Sequence, residues 1–380
     1  MSEQAIRSAF LSRFGHEPTV VGLAPGRINL IGEHTDYNDG FVFPAAIDRG
    51  LWIAASEVDD LSNVSSGQMN DGEPFDVEKV VPGFTSSWSK YPAGMGWAMQ
   101  GKVGHSLSNL QACIDSTIPI GSGVSSSAAL EMAFGVVWNH INHLNLDLQT
   151  LAKLGQVCEN QFVGVNSGIM DQMASALGKA GHAIFLDTRS LEIEYAPVPL
   201  NLSVVLCDTK KERALTTSAY NERRSQCEEA SAIMGVSKLR DATMASLEAH
   251  KHQMSDVVYR RAKHVISENQ RCLDFKAALA SNEYDAIGAL MKGSHESLQY
   301  DYEVSCPELD AMAAAAWDSP GCVGARMTGA GFGGACVALV QTDLIERFTE
   351  TVLLKYAGST GLKGEALSCS IVDGARILKA

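Results

Sequence analysis

The chain has 380 residues, of which 46% are apolar and 19% are charged, and its formal net charge is −14. This length predicts about two domains with a sizeable core, and the acidic balance argues against a nucleic-acid partner, which would need a basic surface. No apolar run approaches the roughly 18 residues of a transmembrane helix, and the N-terminus lacks the zones of a signal peptide. We therefore expect neither nucleic acid nor a membrane as a partner.

Nine cysteines are scattered along the chain, and none is spaced as Cys-x-x-Cys. An odd number without metal-ligand spacing indicates free thiols in a reducing compartment, rather than disulfides or a zinc site. We therefore expect a cytoplasmic protein. The expected oligomeric state is a monomer.

The first half of the chain combines β-type runs and glycine turns with three long helical patterns. Strands are predicted at 19–23, 28–31 and 51–58, and the polar segment 59–83 is predicted to be a hairpin or loop. Apolar spacing predicts helices at 125–144, 148–162 and 169–177. A strand pair is predicted at 183–187 and 203–208, with the proline-containing turn 196–200 between its strands.

The second half is more helical and closes with a glycine-rich loop and β-type runs. Helices are predicted at 212–234, 256–280, 285–298, 307–316 and near 344–356, and strands at 335–340 and near 366–372. Strands followed by runs of helices predict α+β domains rather than a doubly wound sheet. The boundary is expected near 183–200, which gives an N-terminal domain over 1–183 and a C-terminal domain over 184–380.

Residues 119–131 read Pro-Ile-Gly-Ser-Gly-Val-Ser-Ser-Ser-Ala-Ala-Leu-Glu and lead into an apolar helical pattern. Glycines let a backbone approach a ligand closely, and the free N–H groups and positive dipole end of a helix start attract anions. The pattern is therefore typical of a phosphate site, in which one serine hydroxyl reaches a phosphate-bound Mg²⁺. The alternative is a serine-capped helix that follows a glycine turn.

A polar string occupies residues 33–39, Glu-His-Thr-Asp-Tyr-Asn-Asp, and ends in a turn at Gly40. Clustered donors and acceptors on a loop suit a ligand with many hydroxyls, such as a sugar. The alternative is an acidic turn between two strands, where Asn and Asp are common. Arg27 begins the strand before this string, on the face that carries Asn29 and Ile31. For Arg27 the alternative is an exposed arginine on an edge strand.

Two further segments contain candidate site residues. Residues 326–335, Arg-Met-Thr-Gly-Ala-Gly-Phe-Gly-Gly-Ala, precede a predicted strand, and their small side chains allow close packing of two backbones or of a backbone and a ligand. The alternative is a tight turn between domains. Gly168 ends one predicted helix, and Asp171 lies in the first turn of the next, where an Asp also complements the helix dipole. Glu159, on the preceding helix, would otherwise be a surface charge.

Two common phosphate-binding motifs are missing from the sequence. No Gly-x-x-x-x-Gly-Lys-[Ser/Thr] loop is present, which excludes a P-loop enzyme. The glycine loop and His-Arg-Asp loop of protein kinases are missing as well. Any phosphate must therefore be bound by another scaffold.

Together, these segments resemble the GHMP small-molecule kinase superfamily and, within it, the galactokinases. Residues 26–41 are similar to the galactokinase signature almost letter for letter, 119–128 to the nucleotide loop, and 329–334 to the third motif. The resemblance also includes 159–164, 169–172 and 220–224, so it spans most of the chain in the family's order. It implies a two-domain GHMP kinase fold of the α+β class, with mixed sheets flanked by helices and the active site in the interdomain cleft.

The resemblance also implies an activity, which is transfer of the ATP γ-phosphoryl group to the anomeric hydroxyl of α-D-galactose, with Mg²⁺ as the metal. Asp171 is the implied general base, and Arg27 is implied to stabilise charge on the moving phosphoryl group. The remaining implied roles fall into three sets. The sugar would be held by Glu33, His34, Thr35, Asp36, Asp171 and Tyr220, the triphosphate by Gly121, Ser122, Gly123, Val124, Ser125, Ser126 and Ser127, and Mg²⁺ by Ser127 and Glu159.

Three residues depart from the family pattern: Val124 where leucine is usual, Ser167 where cysteine is frequent and Ala330 where glycine is common. None of these changes removes a group that the chemistry needs. Two alternative functions are a related sugar kinase, such as one acting on N-acetylgalactosamine, and a non-catalytic sensor of galactose and ATP. Such sensors lack residues of the Ser-Ser-Ser-Ala stretch, whereas residues 127–129 are intact here.

Overall fold

The structure is a computed structural model that describes residues 2–85, 87–119, 121–211 and 216–378. The α-helices of this part of the chain are α1 (Glu3–Phe14), α2 (Lys90–Val103), α3 (Ser126–Ile141), α4 (Leu148–Val157), α5 (Met170–Leu177), α6 (Thr216–Met234), α7 (Met244–His250), α8 (Asp256–Ser281), α9 (Tyr284–Tyr300), α10 (Pro307–Trp317) and α11 (Ile345–Thr360). The strands are β1 (Val20–Asn29), β2 (Phe41–Val42), β3 (Pro44–Val58), β4 (Asn63–Ser66), β5 (Asn109–Ser116), β6 (His182–Asp187), β7 (Ile193–Pro197), β8 (Leu202–Asp208), β9 (Cys322–Thr328), β10 (Ala335–Gln341), β11 (Glu365–Cys369) and β12 (Arg376–Ile377).

These strands form three sheets. The first has five strands in the order β12-β1-β3-β5-β4, and its pairs are antiparallel except for the parallel pair β4 and β5. The second is antiparallel, in the order β11-β8-β10-β9, and the third is antiparallel, in the order β2-β6-β7. Mixed sheets and flanking helices confirm the predicted α+β class. The division at residues 183 and 184 stays a prediction.

Strand β1 is buried on both of its faces, which explains why its sequence is not a simple alternation of apolar and polar residues. Helix α3 packs against one face of β1. On the other face, Val21 packs with Ile6 and Phe10 of helix α1. The sequence predicted two short strands here, but β1 is one strand with an irregularity between Pro25 and Arg27. Because both faces of β1 are covered, the last residues of this strand lie inside the protein rather than at an exposed edge.

One predicted strand pair, 183–187 with 203–208, is wrong. Strand β6 pairs with β2 and β7, and β8 lies in the four-stranded sheet between β11 and β10. The predicted turn at 196–200 begins with the last residues of β7. Because β7 is an edge strand, Pro197 removes no hydrogen bond that a neighbouring strand needs.

Other boundaries differ in ways that follow from packing. The segment 59–83 folds back on itself through an antiparallel bridge between Ser62 and Phe75, and it also contains β4, which pairs in parallel with β5. Helices α1 and α2 and strands β5 and β9 were not predicted, and α2 carries three glycines that weaken its helical signal. Of the helix predicted at 212–234, the structure describes α6 (Thr216–Met234), and residues 212–215 lie outside the described residues. Within the described ranges, no helix is long and apolar enough to cross a bilayer.

Candidate active site

The four segments singled out in the sequence meet around one cavity of about 280 Å³. Its wall is formed by the polar string (33–39), the nucleotide loop (119–128), the glycine-rich segment 326–335, here called the third glycine cluster, and the turn before α5. The lining residues are Arg27, Glu33, His34, Asp36, Tyr91, Ile118, Pro119, Gly121, Gly123, Val124, Ser125, Ser126, Ser127, Glu159, Val165, Ser167, Gly168, Met170, Asp171, Tyr220, Gly329 and Ala330. Residues as distant in sequence as Arg27 and Ala330 thus form a single site.

An ion pair between Arg27 and Asp171 lies in this wall. The guanidinium donates from Nε to Asp171 Oδ1 at 2.7 Å and from Nη2 to Oδ2 at 2.8 Å, and its Nη1 donates to the carbonyl oxygen of Gly123 at 2.7 Å. Arg27 is 4% exposed, so it is not an exposed edge-strand arginine, whereas the Asp171 side chain is 31% exposed. The forked pairing fixes the carboxylate while leaving it open to the cavity.

The nucleotide loop packs directly on the strand that carries Arg27. The backbone N–H of Arg27 donates to the carbonyl oxygen of Val124 at 3.1 Å. A Cβ added to Gly26 would lie 2.7 Å from that oxygen, so only glycine permits this approach. Gly121 and Gly123 have φ values of +76° and +82°, a region that glycine adopts without strain.

The loop ends at Ser125, which precedes helix α3 in a left-handed conformation. Its side chain makes no capping hydrogen bond to the helix, which removes the alternative of a serine-capped helix. The hydroxyl instead donates to Oδ2 of Asp171. The first-turn N–H groups of α3 have no partner within the helix, so they are available to an anion in the cavity.

Glu159 is buried at the cavity wall and is not a surface charge. It lies in the π-helical turn Cys158–Val163 that continues α4, a type of irregularity that is frequent at functional sites. Its Oε1 accepts a hydrogen bond from Ser127 at 3.0 Å, and its Oε2 accepts one from Ser167. Burial raises the pKa of Glu159, although the hydrogen bond from Ser167 opposes that shift.

Ser127 and Glu159 therefore form an oxygen pair of the kind that suits Mg²⁺, a hard cation that keeps several waters and takes phosphate oxygens as further ligands. A group of three or more His, Cys, Asp or Glu side chains with metal-binding geometry is missing from the described ranges. A hydroxyl and a carboxylate that face a cavity are suited to Mg²⁺ rather than to a metal that needs a complete protein cage.

Glu33 connects the polar string to the third glycine cluster. Its Oε1 accepts the backbone N–H of Gly329 at 2.7 Å and lies 3.4 Å from Nη1 of Arg326. Glu33 is 2% exposed, and burial raises its pKa, while the charge of Arg326 opposes the shift. The glycine cluster thus holds an acidic residue of the string in addition to forming a turn.

His34 is a neutral imidazole at physiological pH, because burial lowers its pKa to about 3. Its Nε2 lies 3.2 Å from the carbonyl oxygen of Ala330, which can only accept, so Nε2 carries the proton. Nδ1 then accepts from the hydroxyl of Tyr37 at 2.8 Å. These bonds fix the orientation of the ring at the cavity wall.

Asp36 accepts the backbone N–H groups of Tyr37 at 3.0 Å and Met170 at 3.3 Å. Desolvation, together with the negative charge of Asp171, raises its pKa from 3.8 to about 7. A Cβ added to Gly168 would lie 1.9 Å from Oδ2 of Asp36. The absence of a side chain at Gly168 therefore makes room for this carboxyl group.

Asp36 is expected to make stability fall as pH rises. Between pH 3.8 and about 7 the native carboxyl group binds more protons than the unfolded one, so this contribution to the free energy of unfolding is fully present below pH 3.8 and is lost as pH passes through 7. Asp36→Asn removes this dependence. The urea midpoint of Asp36→Asn relative to that of the wild type should therefore be higher at pH 8 than at pH 5. An equal difference between the two proteins at both pH values would contradict the raised pKa of Asp36.

Gly168→Ala is expected to displace Asp36 and to lower kcat/KM for the sugar by about 10²-fold, the cost of a misplacement of roughly 1 Å. Steady-state kinetics at varied concentrations of the sugar would measure the change in kcat/KM. Gly101→Ala in α2 is the control, because nothing lies within 4 Å of its added Cβ. The control should leave kinetics unchanged and add up to about 1 kcal/mol of helix stability. Equal kinetics for both variants would contradict the role given to Gly168.

Three family models match the chain: the galactokinase galactose-binding signature over residues 8–57, the N-terminal domain of GHMP kinases over 90–179, and the C-terminal domain of GHMP kinases over 275–356. A galactokinase of Roseiflexus sp. is 41% identical over 375 residues, which cover 97% of this chain and 95% of the relative. The chain belongs to the galactokinase family.

A galactokinase-family relative from Chloroflexus aurantiacus is 42% identical over 373 residues, with 97% of this chain and 95% of the relative covered. The solved galactokinase of Lactococcus lactis, complexed with galactose, is 36% identical, has a TM-score of 0.92, and covers 99% of both chains. These comparisons confirm the GHMP kinase fold and the class of ATP-dependent sugar kinase, with ATP as the co-substrate.

Two residues that the sequence analysis assigned to this galactokinase-family site do not line its cavity. Thr35 is fully buried, and its hydroxyl bonds the carbonyl oxygens of Gly32 and Phe41. Ser122 is 1% exposed, and its hydroxyl donates to the carbonyl oxygen of Pro119. Both hydroxyls hold turns together, so their contribution to the site is indirect.

The cavity also contains residues that sequence reasoning missed, among them Tyr91, Ile118 and Val165. Tyr91 belongs to α2, a helix that was not predicted, and burial raises the pKa of its hydroxyl. Ile118 directly precedes the nucleotide loop, and this position next to the glycines is the signal that could have identified it as a site residue. Val165 follows the π-helical turn, and no feature of its own sequence marks it.

Proposed function

We propose that the chain transfers the γ-phosphoryl group of ATP to the C1 hydroxyl of α-D-galactose, giving α-D-galactose 1-phosphate and ADP. The observation that carries this proposal is the forked pair of Arg27 and Asp171 at the junction of the nucleotide loop and the polar string. Similarity to a galactokinase solved in complex with galactose supports the choice of sugar.

Asp171 acts as the acceptor for the C1 hydroxyl. Its Oδ1 and Oδ2 are bonded to Arg27, and Ser125 adds a third donor at Oδ2, so the carboxylate is held in one orientation. A loose, metaphosphate-like transition state needs little proton abstraction early. Asp171 therefore first orients the hydroxyl and takes its proton as the new O–P bond forms.

Arg27 stabilises negative charge on the phosphoryl group during transfer. Three of its five N–H donors bond Asp171 and Gly123, which leaves two for phosphoryl oxygens. Because Gly123 belongs to the nucleotide loop, the hydrogen bonds of this one guanidinium align the Asp171 carboxylate with the backbone that binds phosphate.

Ser127 and Glu159 are the residues that would hold Mg²⁺, with a hydroxyl and a carboxylate. Bound there, Mg²⁺ would neutralise charge on the triphosphate. Ser167 keeps the second carboxylate oxygen of Glu159 in place. Serine at this position, where cysteine is frequent in the family, thus supplies a hydroxyl donor to Glu159.

The sugar hydroxyls are held by Glu33, Asp36 and Tyr220, which line the cavity beside Asp171 together with His34. Polar groups whose own partners are fixed reject sugars with a hydroxyl in the wrong direction, because a misplaced hydroxyl leaves a buried group unpaired. Both ring nitrogens of His34 are already bonded, to Ala330 and Tyr37, so this neutral ring shapes the wall beside the sugar instead of bonding a hydroxyl.

ADP release, followed in a coupled assay with galactose, N-acetylgalactosamine, glucose and arabinose, tests the proposal. We expect the highest kcat/KM with galactose. A higher value with N-acetylgalactosamine would identify a different sugar kinase, and binding of galactose and ATP without ADP release would identify a sensor. Either result would overturn the proposed substrate or reaction.

A further inference from the structure

A buried arginine of strand β9, Arg326, lies behind the carboxylate of Glu33 and has no role in the steps described above. Arg326 is 0% exposed, and its ion-pair partner among the described residues is Glu33, at 3.4 Å from Nη1 to Oε1. Nη1 also donates to the carbonyl oxygen of Asn29 at 3.1 Å. The Nε and Nη2 atoms are buried without a partner in the part of the chain that the structure describes. A buried guanidinium with unsatisfied donors costs stability, so stability alone does not account for an arginine here.

The two carboxylate oxygens of Glu33 differ in their surroundings. Oε1 accepts the backbone N–H of Gly329 at 2.7 Å, and it lies 3.3 Å from the hydroxyl of Thr328 in addition to its contact with Arg326. Oε2 receives no hydrogen bond from the described residues. Because Glu33 lines the cavity, Oε2 is the oxygen that remains for a sugar hydroxyl. Strand β9 and the glycine that follows it therefore fix one oxygen and leave the other to the ligand.

Helix α8 holds the backbone that carries Glu33. Nε2 of His264 donates to the carbonyl oxygen of Glu33 at 3.1 Å. The backbone N–H of Gly32 donates to Oε1 of Glu268 at 2.9 Å, and Oε2 of Glu268 accepts from Nε of Arg271 at 2.6 Å. With its main chain fixed in this way, Glu33 can still rotate about its side-chain bonds, so the contacts of Oε1 with β9 determine where Oε2 points.

We propose that Arg326 is a positioning residue, which holds Oε1 of Glu33 so that Oε2 accepts one hydroxyl of the sugar, and that the site thereby selects sugars carrying this hydroxyl. Arg326 is not among the residues that line the cavity, so it acts through Glu33 and not on the sugar. A guanidinium suits this role because its charged donors lie in one rigid plane. The inference rests on the proposed function, which assigns Glu33 to the sugar.

The test combines protein variants with sugars that each lack one hydroxyl. Galactose is compared with the deoxygalactoses that lack the hydroxyl at C2, C3, C4 or C6, in the ADP-release assay. Glu33→Gln first identifies the hydroxyl that Glu33 binds, because the penalty of this substitution disappears with the sugar that lacks that hydroxyl.

Arg326→Met should lower kcat/KM for galactose by about 10²-fold, the cost of a misplacement of roughly 1 Å. The loss should lie in KM for galactose, because Glu33 binds the sugar before and during transfer, and KM for ATP should stay unchanged. With the deoxy sugar that Glu33→Gln identifies, the loss should shrink to about twofold or less, the limit for changes that act independently. A purely structural role would lower activity equally with every sugar.

Met327→Ala is the matched control, because Met327 is the next residue of β9 and is also 0% exposed. Successive residues of a strand face opposite sides, so Met327 packs in a hydrophobic cluster away from Glu33. This control should lower the melting temperature and leave the preference among the sugars unchanged. Arg326→Lys keeps the charge without the planar donors. Its loss with galactose should be smaller than that of Arg326→Met and should disappear with the same deoxy sugar.

Wild-type ADP release, measured in parallel, separates the possible failures. If the wild type releases no ADP with any sugar, the proposed function fails, and dissociation constants of the same sugars from calorimetric titration then replace kcat/KM in the comparison. If the wild type is active, an equal loss with every sugar, or a loss with galactose within about twofold, overturns only the role of Arg326. Should Glu33→Gln single out no hydroxyl, Glu33 does not bind the sugar and the inference fails. If Arg326→Met does not fold, Arg326→Lys decides by the same criteria.

Discussion

Asp171→Asn is expected to lower kcat with galactose and ATP by about 10²- to 10⁴-fold, the range that proton transfer by a positioned side chain contributes. Asparagine keeps the size of the side chain but cannot take the proton of the C1 hydroxyl. It also removes the negative charge opposite Arg27, whose Nε and Nη2 donate to the carboxylate at 2.7 and 2.8 Å. Steady-state ADP release at saturating galactose would measure the change.

The control is a test that the Asp171→Asn variant is folded. Loss of the carboxylate leaves a nearly buried guanidinium without its charge partner, which costs stability, but the Asp171 side chain is 31% exposed, and water screens part of that cost. The melting temperature should therefore fall only modestly, and binding of galactose should persist. Wild-type turnover by Asp171→Asn would contradict the assigned role.

Arg27→Leu is expected to lower kcat by about 10³- to 10⁵-fold, the worth of an arginine that stabilises charge in phosphoryl transfer. The substitution removes at once the two hydrogen bonds to Asp171, the hydrogen bond to Gly123 and the positive charge next to the phosphates. Arg27→Lys is the informative comparison. Lysine keeps the charge but cannot bond both carboxylate oxygens in the same planar geometry, so its kcat should lie between those of Arg27→Leu and the wild type.

The double variant Arg27→Leu/Asp171→Asn tests whether the two residues act as a unit. Since each single change already disables the same pair, the double variant should lose little more activity than the worse of the two single variants. Rate losses that multiply fully would mean that the two side chains act independently. The hydrogen bonds between them would then be a structural contact only.

Much of the candidate site could be inferred before the structure because its residues lie in short, specific motifs. The preceding helical segment ends at Gly164, not at Gly168 as the sequence had predicted, whereas Asp171 does lie in the first turn of α5, as the local pattern indicated. Spacing alone, however, could not bring Arg27 to Asp171, which lies 144 residues further along the chain. The resemblance to a family supplied that association.

The predictions from sequence were wrong or missing where contacts between distant segments determine the structure. Strands β6 and β8 have similar apolar patterns, and their partners depend on which sheet each joins, so proximity in sequence gave the wrong pairing. Glycine-rich α2 has a weak helical signal of its own and is covered by α3 and the π-helical turn. Tyr91 was missed for that reason.

The burial of single polar residues was equally invisible in the sequence. Ser125 belongs to the nucleotide loop, yet its hydroxyl bonds Asp171 instead of capping α3. Thr35 belongs to the polar string, yet it faces the backbone of its own turn. A motif identifies which segments form a site, whereas tertiary contacts determine which atoms of each segment face the ligand.

Identification of the phosphorylated product by ³¹P nuclear magnetic resonance tests the central claim most directly. With the wild type, galactose, ATP and Mg²⁺, we expect one sugar phosphate, α-D-galactose 1-phosphate, in equal amount to ADP, and its loss in Asp171→Asn. Phosphate on any other hydroxyl, or ADP formed without a sugar phosphate, would contradict a site in which Asp171 and Arg27 direct transfer to C1.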